Sequence, residues 1–339
     1  MRLHNVPRQS KSLLDAGPPM SILTAEAISC ERAPRAGRAP RLGLLLALAA
    51  LSQTACAARA VPPQAPEALT PLPVAKAAPA EVNIGDSLVR EDELTYKGYT
   101  VRKYYKDVRE REVPGGRVEV AYAALERGGK TVRSFDAGVY SGFGNSVKFG
   151  LFPFLGGEEK QLVISQDAPR AGAQWVVSLS PRPRVIYDGP AFEAGREYED
   201  MGVADLDGDG VYEIAVPVCR FYGFRGWATA DTPLPLALFK YDAKAGKYLP
   251  ANRLFRGHLL KDVEQEKSKV SGPETRESHT AGVLSVVLDY VYAGEERAGW
   301  EFYDAAYKLP DKAALKRDTE AALRADPVYR YIYQPAPRR

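Results

Sequence analysis

The sequence predicts an α+β chain, mainly antiparallel β (propeller-blade-like or meander sheets), with a C-terminal helical portion. Three observations carry that expectation. Between residues 83 and 250, short alternating or β-branched runs recur between Gly- and Pro-rich turns. After Pro250 the apolar spacing changes from two to between three and four. Near the middle, an alternating Asp/Gly run sits between two apolar segments that read as strands.

The chain opens with a leader, residues 1–60. Arg32, Arg35, Arg38 and Arg41 precede the apolar run Leu42–Leu51, and small residues follow as far as Cys56. A basic segment, a short apolar stretch and small residues make a secretory signal, too short for a membrane span. No later segment of the mature chain is long enough for a transmembrane helix either. Thr54-Ala55-Cys56 resembles a bacterial lipobox, which implies lipidation and membrane attachment at Cys56. That family's pattern has an apolar residue where Gln53 stands. Ala55-Cys56-Ala57 and Ala58-Arg59-Ala60 fit ordinary signal-peptidase sites equally well. Both readings place the protein outside the cytoplasm, in the periplasm or outer envelope. Residues 61–82, rich in Pro and Ala, read as an extended tether.

The net charge of +3 belongs to the leader. Without residues 1–60, 38 basic side chains face 40 acidic ones, so no basic excess favours nucleic acid. Of three cysteines only Cys219 falls in the expected fold, where one thiol makes neither an internal disulfide nor a zinc site. It reads as a small buried hydrophobe.

Tyr99–Tyr105, Arg117–Ala123 and Lys130–Phe135 predict an antiparallel meander, with turns at Pro114-Gly-Gly and Arg127-Gly-Gly. Gly138–Gly150 lacks the Gly-Lys-Ser/Thr ending of a phosphate loop and reads as a turn or bulge segment. Phe152–Ser165 then gives strand, Gly-rich acidic turn, strand, followed by strands at Gln174–Leu179 and Arg184–Tyr187. About fifty residues on, the cycle returns with the Asp loop, then Leu236–Tyr241 and Gly246–Leu249.

That loop is Val203–Val216. Asp205, Asp207 and Asp209 alternate, Gly208 and Gly210 interrupt them, and Glu213 closes the run. Four carboxylates this close repel unless a cation or raised pKa values relieve the charge. Ca²⁺, which takes about six to eight oxygens in flexible geometry, is the expected relief. Asp205, Asp207 and Asp209 stand at loop positions one, three and five, and Gly210 at six, where the chain turns. The Val211 carbonyl and the Glu213 carboxylate complete the expected ligands. Val216 stands where an EF-hand has its bidentate Glu, and the flanks are strands. The segment resembles the strand–loop–strand calcium sites of FG-GAP/VCBS repeats, as in integrin alpha-subunit propellers. Aligning Gln161 with Glu213 puts Pro153, Leu155 and Gly157 at the three Asp positions, so the earlier copy has lost the ligands.

Downstream of the second strand, Phe221, Tyr222, Phe224, Arg225, Trp227 and Asp231 crowd into a Gly-broken loop. Such rings can form a stacking platform for sugar or peptide with Asp231 as polar anchor, or can pack on the sheet. In the C-terminal portion, residues 251–339, Asn252 is expected to cap a helix over Arg253–Val263. Val283–Tyr292 is a buried helix or strand. Trp300, Tyr303 and Tyr307, then Leu315–Leu323, fall at helical spacing, ended by Asp326-Pro327.

No Gly-x-Ser-x-Gly, His-Glu-x-x-His or Cys/His pairing is present. The expectation is therefore an exported, calcium-stabilised binding or envelope-scaffold protein with a protein or glycan partner and no catalysis. The alternative is a secreted hydrolase of polysaccharide or cell wall with its site near 221–235.

Overall fold

The protein is described by a computed structural model covering residues 82–83, 88, 92–109, 116–139, 144–168, 171–192, 201–227, 232–270 and 275–333. The leader, Cys56, all of the tether but Val82, and Asp231 lie outside the described residues.

Three antiparallel meanders follow one another. The first sheet holds β2 (Glu93–Tyr96), β3 (Tyr99–Arg109), β4 (Arg117–Arg127) and β5 (Lys130–Phe135) in chain order. The second holds β6 (Ser146–Phe152), β7 (Gln161–Ala168), β8 (Ala171–Ser178) and β9 (Arg184–Asp188). The third holds β10 (Gly202–Ala204), β11 (Glu213–Pro217), β12 (Leu236–Asp242) and β13 (Lys247–Pro250), with the short β1 (Val82–Asn83) added beside β10. The α+β expectation holds: among the described residues three antiparallel sheets precede the helices. Gly138–Gly150, expected as a turn or bulge, instead runs into β6. The Val147 and Phe149 side chains reach the core, and Val147 pairs with Gln166.

The sheets stack in layers because the second is apolar on both faces. Leu162, Ile164, Trp175 and Val177 pack with Val101, Ala123, Leu125 and Phe135 of the first sheet. Val163, Val176 and Tyr187 point the other way and meet Ile214, Val216 and Phe239 of the third. The Tyr187 and Phe239 rings touch edge to face at 5.1 Å. Fully burying each such side chain is worth about 1.5–3 kcal/mol. A polar clamp ties the first two layers. The buried Gln166 side chain accepts the Ala137 N–H at 2.9 Å and donates to the Ala121 carbonyl at 2.9 Å. Asn145 brackets the same residue, accepting the Ala121 N–H at 2.6 Å and donating to its carbonyl at 2.8 Å.

The core of the third sheet continues into the helices. These are α1 (Arg256–Leu259), α2 (Val263–Lys269), α3 (Arg276–Tyr292), α4 (Glu296–Ala306), α5 (Lys312–Ala325) and α6 (Pro327–Tyr333). Residues 283–292 thus belong to a helix. At 17 residues it is too long for an ordinary strand, and Thr275 caps it by accepting the Ser278 N–H at 3.1 Å. Gly299 lets α4 approach α3, since a Cβ there would lie 2.9 Å from the Val287 carbonyl. Asp326, buried between α5 and α6, accepts the Tyr329 N–H at 2.7 Å. Among the described residues no helix is long and apolar enough to cross a membrane.

Asn252 departs from its expected role as a helix cap. Its amide accepts the Leu238 N–H at 3.0 Å and donates to the Leu236 carbonyl at 3.0 Å. It imitates a strand partner for β12, and the helix starts later, at Arg256.

Asp289 of α3 borders a cavity of about 160 Å³ with Leu236, His258, Leu259, Lys261 and Tyr292. Burial, with a smaller contribution from Glu266, pushes its carboxyl up to about 7. Between the ordinary carboxylate range and pH 7 the folded state holds a proton that the unfolded chain releases. Stability should therefore fall as pH rises through that window and level off above it. Asp289→Asn should melt a few degrees higher than the wild type at pH 8, with the difference shrinking towards pH 4. Equal differences at both pH values would refute the assignment.

Candidate metal centre

The Asp loop spans residues 205–212 between β10 and β11, whose pairing brings Ala204 opposite Glu213. Gly208 and Gly210 adopt φ of +74° and +83°, which let the chain curl back on itself. The carboxylates hold that curl. Asp205 accepts the N–H of Asp209 and of Gly210, each at 3.0 Å. Asp209 accepts the Val211 N–H at 2.8 Å. Glu213, 1% exposed, accepts the Leu206 N–H at 2.7 Å. Oxygens of Asp205, Asp207 and Asp209 all lie within 4.8 Å of one another. The three Asp expected as ligands share this loop, and Glu213 stands at the start of β11. Val211 is on the loop too, partly buried.

One participant was missed. Lys240 lies on β12, one residue beyond the Ile214–Phe239 pair and therefore beside Glu213. Its ammonium lies 2.9 Å from Asp207 Oδ2, 2.6 Å from Asp209 Oδ2 and 3.0 Å from Glu213 Oε1. A Lys 27 residues downstream of Glu213 becomes visible only once the β11–β12 register is known. Electrostatics follow the geometry. Burial disfavours the charged ammonium, but hydrogen bonds to the three carboxylates outweigh it and raise the pKa of Lys240. The hydrogen bond from Lys240 is the largest influence on Asp209 and holds its carboxyl low, against some burial. Burial pushes Glu213 up, opposed by Lys240 and the Leu206 N–H.

The Phe154–Gly157 turn between β6 and β7 lies directly alongside. The Tyr212 N–H donates to the Phe154 carbonyl at 2.9 Å, and the Tyr248 hydroxyl donates to the Tyr212 carbonyl at 2.9 Å. Gln161 does in the second sheet what Glu213 does in the third, accepting the Leu155 N–H at 3.2 Å. The Gln161 amide oxygen thus makes the kind of backbone contact that the Glu213 carboxylate makes in the third sheet, without a charge.

The aromatic loop turns inward. Phe221 is fully buried, and Phe221, Phe224 and Trp227 form an edge-to-face chain with successive centroids 5.5 Å apart. Tyr222 is partly buried. Arg225 pairs with Asp311 at 3.2 Å and Asp318 at 3.7 Å, joining the loop to α5 and the turn before it. Phe221, Phe224 and Trp227 serve the core shared with the helices. Cys219 is buried and forms no disulfide. His258 lies on α1, and His279 of α3 stacks on Tyr307 at 5.7 Å.

Gly156 and Gly157 offer a test of how firmly the two loops are joined. Both have positive φ, +73° and +69°, but a Cβ on Gly156 would lie 2.3 Å from the Gly210 carbonyl, whereas one on Gly157 meets nothing. Gly157→Ala should cost about 1 kcal/mol in urea denaturation from backbone strain alone, and Gly156→Ala about 2 kcal/mol or more. Equal losses would mean that the loops yield independently. Comparison with family models, curated proteins and solved structures returns no match for this chain.

Proposed function

We propose that this is an exported protein whose β portion is stabilised by Ca²⁺ at the Asp loop, and that it works by binding or scaffolding in the cell envelope and not by catalysis. The observation that carries the reading is the loop. It is closed by its own N–H bonds, and its carboxylates at Asp205, Asp207 and Asp209 converge within 4.8 Å. The donor set fits a hard cation because it consists of oxygens alone. Charge supports the same conclusion. Lys240 supplies one positive charge to Asp207, Asp209 and Glu213, with Asp205 at the same loop, so a net negative charge remains for a dication to offset.

Asp205, Asp207, Asp209 and Glu213, with the Val211 carbonyl, are the residues that would hold the ion. Its role would be structural, fixing the turn between β10 and β11. The leader supports export to the periplasm or outer envelope, with Cys56 as the candidate lipid anchor and a protein or glycan as partner.

Calorimetric titration should find one Ca²⁺ site with Kd on the order of 10⁻⁴–10⁻³ M, the range of extracellular modules. Asp205→Asn should abolish the heat. Absence of saturable binding up to about ten times that concentration would end the calcium reading. For anchoring, labelled palmitate should enter the wild type and not Cys56→Ala. Labelling of neither would leave the exported protein free of the membrane.

A further inference from the structure

The Lys240 ammonium lies on three of the carboxylates that a loop-bound ion would use. It is ringed by both oxygens of Asp207 and one each from Asp209 and Glu213 at 2.6–3.1 Å, distances only a little longer than the roughly 2.3–2.6 Å of Ca²⁺–oxygen contacts. A dication held by the same oxygens would lie against the ammonium and repel it. The lysine is also in a fixed position, because β12 pairs with β11 through Ile214–Phe239 and its three successors. Its side chain is mostly covered, with 22% exposed. Lys240 also lines a cavity of about 440 Å³ with Leu249, Asn252, Leu254 and Tyr331.

We infer that Lys240 is a tethered cation that closes the Asp loop when no dication is bound and competes with Ca²⁺ for the same carboxylates. The inference rests on the calcium reading for the competition, and on the ion-pair geometry alone for the closure. It has two consequences. The wild type should keep most of its stability in chelator, because one cation takes over from the other. Its calcium affinity should be weaker than the carboxylates alone would give, because each binding event must first release Lys240.

The test uses the full mature chain, with melting temperature measured in chelator and in excess Ca²⁺ and with affinity measured by calorimetry. Lys240→Met keeps the length of the stem and removes the charge. It should melt clearly lower than the wild type in chelator, recover with Ca²⁺, and bind Ca²⁺ about ten-fold tighter, within the usual range of coupling between sites. A Met variant that folds only when Ca²⁺ is present would be the extreme form of this result. Lys240→Arg, which retains a cation, should resemble the wild type in chelator. The inference is overturned if the Met variant matches the wild type in both affinity and chelator sensitivity, or if Arg behaves like Met. If neither protein binds Ca²⁺ while the Met variant still loses stability and is not rescued, the calcium reading fails. In that case Lys240 stands as the loop's sole cation.

Discussion

The fold depends on burying both faces of the second sheet. The central strands β7 and β8 are buried on both sides, so the apolar residues along β7 are committed to one neighbour or the other: Leu162 and Ile164 to the first sheet, Val163 to the third. A one-residue slip of β7 would exchange those commitments all at once. The layers on either side inherit their positions from this constraint. Gln166 and Asn145, both bonded to the backbone of Ala121, set the first layer against the second.

The same stacking brings the turns of adjacent meanders together at one end. The Asp loop leans on the Phe154–Gly157 turn through Tyr212, Tyr248 and the close approach of Gly156 to Gly210. Two strand–turn–strand segments therefore meet side by side with different chemistry. In one, Gln161 holds the turn with a neutral hydrogen bond. In the other, Glu213 does so as part of an acidic cluster, with Lys240 reaching across from β12. The helical portion covers the far side of the core, and Arg225 ties it to the segment that leaves β11 by way of Asp311 and Asp318.

How legible each part was depended on the range of the interactions that define it. The strands were readable because alternation and Gly turns are local, and α4 and α5 because Trp300, Tyr303, Leu315 and Leu323 keep helical spacing. The Asp loop was readable for the same reason, since its bonds run between residues two to seven apart. Residues 283–292 stayed ambiguous because a segment buried all round has no periodic contrast, and its identity as helix rests on a cap eight residues upstream. Asn252 misled because its amide serves a strand reached through tertiary folding. Lys240 was invisible for a related reason, since its place in the cluster exists only in the register of β11 against β12. The aromatic loop showed unusual composition, but composition does not reveal which way rings turn. Their inward direction follows from α5, about ninety residues later.

The pairing of β1 with β10 has a mechanical meaning. Val82 and Asn83 lie at the end of the Pro/Ala-rich stretch and hydrogen-bond to the strand that leads directly into Asp205. A pull on the chain ahead of Val82 would load this two-residue pairing before it reached β2, where the chain enters the first sheet. Losing β1 would leave in place the β10–β11 and β11–β12 pairings that position Glu213 and Lys240.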